Sequence, residues 1–196
     1  MQKDYRNNSY RLRGYDYSQP GFYFLTICTS NRQNLFGEIT DNKMNLNNSG
    51  LFVEHCWKEI SRHFSNIELD EYVIMPNHLH VIIVINPSNK GSVGVQHVEP
   101  LRNSCAKQNC VPNQQRDYQK VVPGSLGAVV RGFKSAVTRW FHNYSKVKTV
   151  WQRNFYDHIV RDECELARIR LYIRQNPEKW QFDWQNLNSS QIVRDL

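Results

Sequence analysis

The chemistry that this sequence offers begins with two histidines, His78 and His80, at the start of the β-branched run HLHVIIV (78–84). Side chains alternate between the two faces of a strand, so both imidazoles point to one side and Leu79 points to the other. Two imidazoles on one rigid face make half of a metal site, and imidazole ligands alone favour zinc or another transition metal. A lone buried histidine is usually structural, so both interpretations stay open until a third ligand is found.

Tyr172 and Asn176 are the second pair of residues with chemical potential. They lie four residues apart in the last predicted helix, so they share a face if the helix continues that far. A tyrosine beside a metal can act as a nucleophile toward phosphorus, and an amide oxygen one turn later can be a ligand. The same spacing also fits a core tyrosine between Leu171 and Ile173 and an asparagine that ends the helix.

The elements that must position these residues follow from hydrophobic patterning. Runs of β-branched and aromatic residues predict strands, and apolar residues three or four apart predict helices. The predicted strands are 22–29, 67–75 and 78–85, with a strand or hairpin over 149–160, and the predicted helices are 51–64, 126–144 and 162–175. Residues 41–50 have the composition of a loop. We expect the last helix to end near Gln175, because Pro177 disfavours helical geometry at Asn176.

Separate strands and helices of this kind favour an α+β fold, an antiparallel sheet with helices packed on one face. The length of 196 residues is typical of one domain, 1–196. Residues 86–124 are rich in Asn, Gln, Ser and Pro and lack periodicity, so we expect a long loop or insertion there.

Charge and cysteine usage restrict the class of partner. The chain has 25 Lys and Arg against 18 Asp and Glu, a net charge of +7, which favours a polyanion such as nucleic acid. No apolar run reaches the roughly 18 residues of a membrane span, and the first residues lack the apolar core of a signal peptide. Five scattered cysteines favour a reduced, cytoplasmic protein. Cys105 and Cys110 lack a second pair at zinc-finger spacing.

Four segments together carry a family resemblance. They are GFYFLTICTSNRQNLFG (21–37), YVIMPNHLHVIIVI (72–85), GAVVRGFKSAVTRWF (127–141) and VWQRNFYDHIVRDECELARIRLYIRQNPEKW (150–180). The chain resembles the single-tyrosine transposases of the HUH endonuclease superfamily, and within them the REP-associated tyrosine transposases. The resemblance covers most of the chain and keeps the order of the segments.

The resemblance implies a ferredoxin-like sheet with the His-x-His motif on a central strand. It implies that His78 and His80 bind a divalent cation, Mg²⁺ or Mn²⁺, with Asn176 as third ligand where the insertion-sequence branch has glutamine. Tyr172 matches the nucleophile, and Tyr156, which precedes the helix, is the alternative. The implied activity is transposition: cleavage and rejoining of single-stranded DNA next to hairpins through a 5′-phosphotyrosine, by a monomer or a homodimer.

Candidate DNA-binding residues are basic or aromatic. The N-terminal segment with Arg11, Arg13 and Tyr15 has cationic side chains that can bind phosphates and an aromatic ring that can stack on unpaired bases. The resemblance suggests that this segment reads a guide sequence beside the hairpin. The candidates are Arg11, Arg13, Tyr15, Arg131, Lys134, Arg139, Arg153 and His158. The three on the predicted helix 126–144 fit a solvated helix face equally well, and His158 fits a core or supporting histidine.

Two other functions fit the same residues. One is a nucleic-acid-binding module that keeps the fold without catalysis, and the other is a metal-dependent phosphoesterase that uses water in place of tyrosine. Covalent trapping distinguishes the transposase from the phosphoesterase, and metal-dependent cleavage distinguishes both from the binding module.

Overall fold

A computed structural model describes residues 12, 14–87 and 122–182. Along the chain the elements are β1 (Gly21–Cys28), β2 (Gly37–Thr40), β3 (Lys43–Leu46), α1 (Asn48–Lys58), α2 (Ile60–His63), β4 (Ile67–Ile74), β5 (His78–Ile85), α3 (Leu126–Tyr144), β6 (Tyr156–Val160) and α4 (Glu163–Gln175). Short 3-10 turns occupy Ser30–Arg32 and Trp180–Phe182. In the ranges given, none of the helices has the length and apolar character needed to cross a bilayer.

The main sheet has four strands in the order β4-β5-β1-β6, and every neighbouring pair is antiparallel. Apart from the β2–β3 hairpin, the order along the chain is β1, α1 with α2, β4, β5, α3 and β6. This is the β-α-β-β-α-β order of the ferredoxin-like fold expected from the resemblance. β5 is a central strand, as predicted, and it carries His78 and His80. A second sheet is the hairpin of β2 and β3.

The two faces of the main sheet differ in chemistry. On one face Tyr23, Leu25 and Ile27 join an apolar core with α1 and α3. On the other face Phe24 and Ile82 pack against Leu166 and Ile173 of α4 (this side also carries the histidines). The prediction that the helices share one face is therefore wrong for α4. Leu166 and Ile173 of α4 bury the apolar residues of the face that carries the His-x-His motif.

Three local predictions need correction. Residues 41–50 were expected to be loop, but residues Lys43–Leu46 form β3 and α1 begins at Asn48. Asp41 and Asn42, with φ of 51° and 59°, form the tight turn of the β2–β3 hairpin. The predicted helix 51–64 begins earlier and is divided after Lys58. Of the predicted strand or hairpin over 149–160, only 156–160 is strand, with a single bridge between Trp151 and Thr29. Most of the predicted insertion, residues 88–121, lies outside the described residues.

The hairpin and α1 also hold the loop that leads into the histidines. The amides of Leu35 and Phe36 donate to the Pro76 carbonyl at 2.9 and 3.1 Å. Asn47 caps α1 by accepting from the Gly50 amide at 2.9 Å. Gly50 packs so closely on the Phe36 carbonyl that an added Cβ would lie 2.1 Å from its oxygen. The start of α1 therefore packs against the same Leu35–Phe36 segment that hydrogen-bonds to Pro76.

We expect Gly50→Ala to lower the free energy of unfolding by about 1–3 kcal/mol, because the new methyl group displaces the Phe36 carbonyl. In an open helix position the same change would raise stability by about 1 kcal/mol. Urea denaturation measures the difference, with the neighbouring substitution Ser49→Ala as a control that should change little. A more stable Gly50→Ala protein would contradict the close packing.

Candidate active site

The two motif histidines lie side by side inside the protein. His78 and His80 are 0% and 2% exposed, and their Nε2 atoms are 3.0 Å apart. They lie opposite Cys28 and Thr26 of β1, in the register that brings both rings to the face covered by α4. The alternation of side chains along the strand predicted that both imidazole rings lie on one face, and the structure confirms this.

The Asn77 amide determines which nitrogen of His78 carries the proton. Asn77 Nδ2 donates to the Arg32 carbonyl at 3.2 Å, so Oδ1 accepts from His78 Nδ1 at 2.8 Å. Neutral His78 then has its lone pair on Nε2, facing His80. His80 Nδ1 lies 2.9 Å from the Thr26 hydroxyl, which can donate or accept. These contacts orient two Nε2 atoms toward one point, as partners of metal-bound histidines do.

Burial keeps both histidines neutral. Loss of solvent lowers the pKa of His80 to about 3. Burial, followed by electrostatic repulsion from His80 when it is protonated and from Arg32, lowers the pKa of His78 well below its ordinary value. Neutral imidazole is the form that binds a metal, so no proton has to be removed at pH 7.

These pKa shifts predict a stability that depends on pH. Between pH 6.5 and 3 the unfolded chain binds protons on both histidines and the folded protein does not. Stability is therefore complete above about pH 6.5 and is lost as the pH falls toward 3, with about 2 kcal/mol lost at pH 5 through His80 alone. His78, whose pKa is also lowered, adds to the loss in the same direction. Urea unfolding of the metal-free protein at pH 7.5 and pH 5 measures the loss, and His80→Gln should show a smaller loss than wild type. Equal losses in the two proteins would contradict the neutral pair.

Tyr172 reaches the histidines from α4. Its hydroxyl lies 3.1 Å from His80 Nε2, while the side chain remains 39% exposed. Asp162 caps the helix by accepting from the Glu165 amide. Two arginines on either side of Tyr172 then fasten α4 to the irregular part of β4, and these ion pairs are Arg170–Asp70 at 2.6 Å and Arg174–Glu71. The hydroxyl is held beside His80 and remains open to a ligand.

Asn176 follows one turn after Tyr172 and is 3% exposed. α4 ends at Gln175 as predicted, yet Asn176 keeps helical geometry, with φ −59° and ψ −42°, contrary to the effect predicted for Pro177. Amides of Asn176 and Lys179 continue the turn and outweigh that preference. Asn176 Oδ1 is buried and accepts no hydrogen bond from the described residues. An oxygen in this state is costly unless a cation or a donor reaches it.

A cavity of 420 Å³ opens beside Tyr172 and His80. Aromatic and neutral polar side chains form most of its wall. The lining residues are Phe24, Thr26, Cys28, Arg32, His80, Gln152, Asn154, Phe155, Tyr156 and Tyr172. Tyr156, the alternative nucleophile, is 47% exposed and pairs with Thr26 across β1 and β6. The structure therefore brings both tyrosines to one cavity, and it places the Tyr172 hydroxyl against His80.

The predicted DNA-binding residues lie in several places. Arg131 and Arg153 are exposed, and Arg139 lines a groove on α3. Lys134 lines that groove too, but it donates to the carbonyls of Gln152 and Asn154 and so supports the cavity wall.

The remaining candidates differ in how they are held. His158 pairs with Glu165 at 2.8 Å beside a groove that Tyr172 also lines. The Tyr15 hydroxyl lies 3.2 Å from that of Tyr23. Arg11 and Arg13 fall outside the described residues.

Sequence reasoning missed Thr26, Asn77 and Arg32. Thr26 could have been found from the alternation of β1, and Asn77 from its place directly before His78. Arg32 gave no signal, because it comes near the histidines through the fold alone.

Comparisons with known proteins agree with this architecture. The chain is 41% identical over 182 residues to an uncharacterized protein of Haemophilus influenzae, covering 91% of this chain and 92% of that protein. A second H. influenzae protein, provisionally named a REP-associated tyrosine transposase, is 24% identical over 166 residues, covering 84% and 74%. No protein-family model matches. A solved REP-associated tyrosine transposase bound to a REP hairpin has a similar fold, with a TM-score of 0.53, 18% identity and coverage of 88% and 75%.

Proposed function

We propose that the chain is a REP-associated tyrosine transposase, and that it cleaves and rejoins single-stranded DNA beside hairpins through a 5′-phosphotyrosine. The family relationship supports a transposase role. The observation that carries the finer proposal is the Tyr172 hydroxyl 3.1 Å from His80 Nε2, at the rim of an open cavity. The REP hairpin bound by the structurally similar protein suggests the class of DNA.

In the proposed reaction the Tyr172 oxygen attacks the phosphorus of the scissile linkage. A bond forms between that oxygen and phosphorus, and the bond from phosphorus to the 3′ oxygen breaks. The tyrosine loses its proton, and the departing strand leaves as a free 3′-OH. A 3′-OH of another strand can reverse the step and rejoin DNA, because the covalent link retains the phosphodiester bond energy. The reaction therefore needs no nucleotide cofactor.

The residues present fit a divalent cation, which we propose to be Mg²⁺ or Mn²⁺. His78 Nε2, His80 Nε2 and Asn176 Oδ1 would hold it. The Nε2 atoms lie 3.0 Å apart, about the separation of adjacent octahedral ligands at 2.0–2.1 Å. The buried Asn176 oxygen, which accepts no hydrogen bond from the described residues, supports its place as the third ligand. A bound cation would supply polarisation of the phosphate oxygens.

Incubation with single-stranded DNA from the flanks of its own gene, with and without Mn²⁺, tests the proposal. A denaturing gel should show Mn²⁺-dependent cleavage together with a protein–DNA adduct. Cleavage without an adduct would favour the water-using phosphoesterase. Binding without cleavage at any metal concentration would favour the non-catalytic module.

A further inference from the structure

Arg32 gives the cavity beside Tyr172 its charge. Among the described residues that line this cavity, it is the one Lys, Arg, Asp or Glu side chain. The rest of the wall is aromatic or neutral and polar. A cavity of this kind accepts a group with a single negative charge and apolar neighbours, and a phosphodiester with its bases has this character.

The backbone at Arg32 is held in an uncommon conformation. Asn31 and Arg32 both have φ of 53°, in the left-handed region that side chains other than glycine rarely adopt. The Arg32 amide donates to the Thr29 carbonyl at 3.2 Å, and its own carbonyl accepts from Asn77 Nδ2 at 3.2 Å. Conformations of this cost are kept mainly where they serve a site.

Asn77 connects this arginine to the histidines. The same amide that holds the Arg32 carbonyl also accepts from His78 Nδ1 at 2.8 Å. Asn77 is 1% exposed, so the position of Arg32 relative to His78 is set by a buried group. The backbone of Arg32 is therefore tied to His78, and Arg32, His80 and Tyr172 line one cavity.

We propose that Arg32 binds the non-bridging oxygens of the phosphate that Tyr172 attacks. The inference rests on the proposed function for the identity of that phosphate. A guanidinium can donate two parallel hydrogen bonds to phosphate, which fixes the orientation of the group as well as binding it. Arg32 then positions the phosphorus for the tyrosine oxygen.

The test is a binding scan in which each phosphate of a single-stranded flank oligonucleotide is replaced in turn by a neutral methylphosphonate. The protein is full-length Tyr172→Phe in EDTA, with and without Arg32→Gln. We expect Arg32→Gln to weaken binding of unmodified DNA about 10- to 100-fold. At one phosphate the methylphosphonate should remove that difference. Wild-type protein with Mn²⁺ should cleave at the same phosphate.

Arg139→Gln on α3 is the matched control, since it removes the same charge away from the cavity. Arg139→Gln should weaken DNA binding by a similar factor for every oligonucleotide whose methylphosphonate lies among the nucleotides that bind in the cavity. If Arg32→Gln behaves in that uniform way while wild type cleaves, the Arg32 inference is wrong and the proposed function stands. If one phosphate couples to Arg32 but no DNA is cleaved, the binding role stands and the proposed function is wrong. Absence of DNA binding would overturn both.

Discussion

Tyr172→Phe is expected to abolish the covalent DNA adduct and to lower strand cleavage by on the order of a thousandfold or more, because it removes the attacking oxygen. The ring remains, so its edge contact with Phe24, at 6.1 Å between ring centroids, is kept. The folded structure and the cavity should therefore be preserved. Adduct formation with flank DNA and Mn²⁺ on a denaturing gel measures the effect.

Tyr156→Phe is the control for this result. Tyr156 lines the same cavity and is also exposed, but it lies on β6 and not on α4. We expect the Tyr156→Phe protein to form the covalent DNA adduct at close to the wild-type level. A persistent adduct in Tyr172→Phe, or its loss in Tyr156→Phe alone, would reverse the assignment of the nucleophile.

Asn176→Leu is expected to change metal binding and stability in opposite directions. The substitution removes the amide oxygen, so Mn²⁺ should bind at least about 10–100-fold more weakly. Loss of a group that only supports a metal ligand already has an effect of this size. The same oxygen is buried and accepts no hydrogen bond from the described part of the chain. The metal-free protein should therefore be as stable as wild type or more stable, by up to about 1–3 kcal/mol.

Calorimetric titration with Mn²⁺ and urea denaturation in EDTA give the two readouts for Asn176→Leu. Asn176→Gln keeps an amide oxygen and should retain part of the affinity. Thr26→Val removes the hydroxyl beside His80 Nδ1 and should weaken Mn²⁺ binding through the orientation of that ring. Unchanged affinity in Asn176→Leu would remove the amide from the proposed ligand set.

Local pattern was enough to predict the position of the histidines. The alternation around Leu79 places His78 and His80 on one face, and the runs 22–29 and 78–85 correspond to β1 and β5. The family resemblance supplied the ferredoxin-like order of the sheet. Periodicity alone left the pairing of Tyr172 with His80 open.

What the sequence did not reveal depends on contacts between distant segments. The packing of α4 on the histidine face depends on apolar contacts of Leu166 and Ile173 and on ion pairs such as Arg170–Asp70, one hundred positions apart in sequence. Arg32 reaches the cavity through a left-handed turn held by Asn77. Lys134, predicted to contact DNA from a helix face, supports the loop at Gln152 because that loop packs against α3.

Mass-spectrometric mapping of the trapped adduct tests the central claim most directly. Wild-type protein is incubated with flank DNA and Mn²⁺, the DNA is trimmed by nuclease, and the protein is cut with trypsin. Cleavage after Arg170 and Arg174 isolates Tyr172 in the peptide 171–174, while Tyr156 falls in 154–161. We predict a 5′-nucleotide mass on the peptide 171–174. The same mass on 154–161, or cleaved DNA with neither peptide modified, would contradict the account.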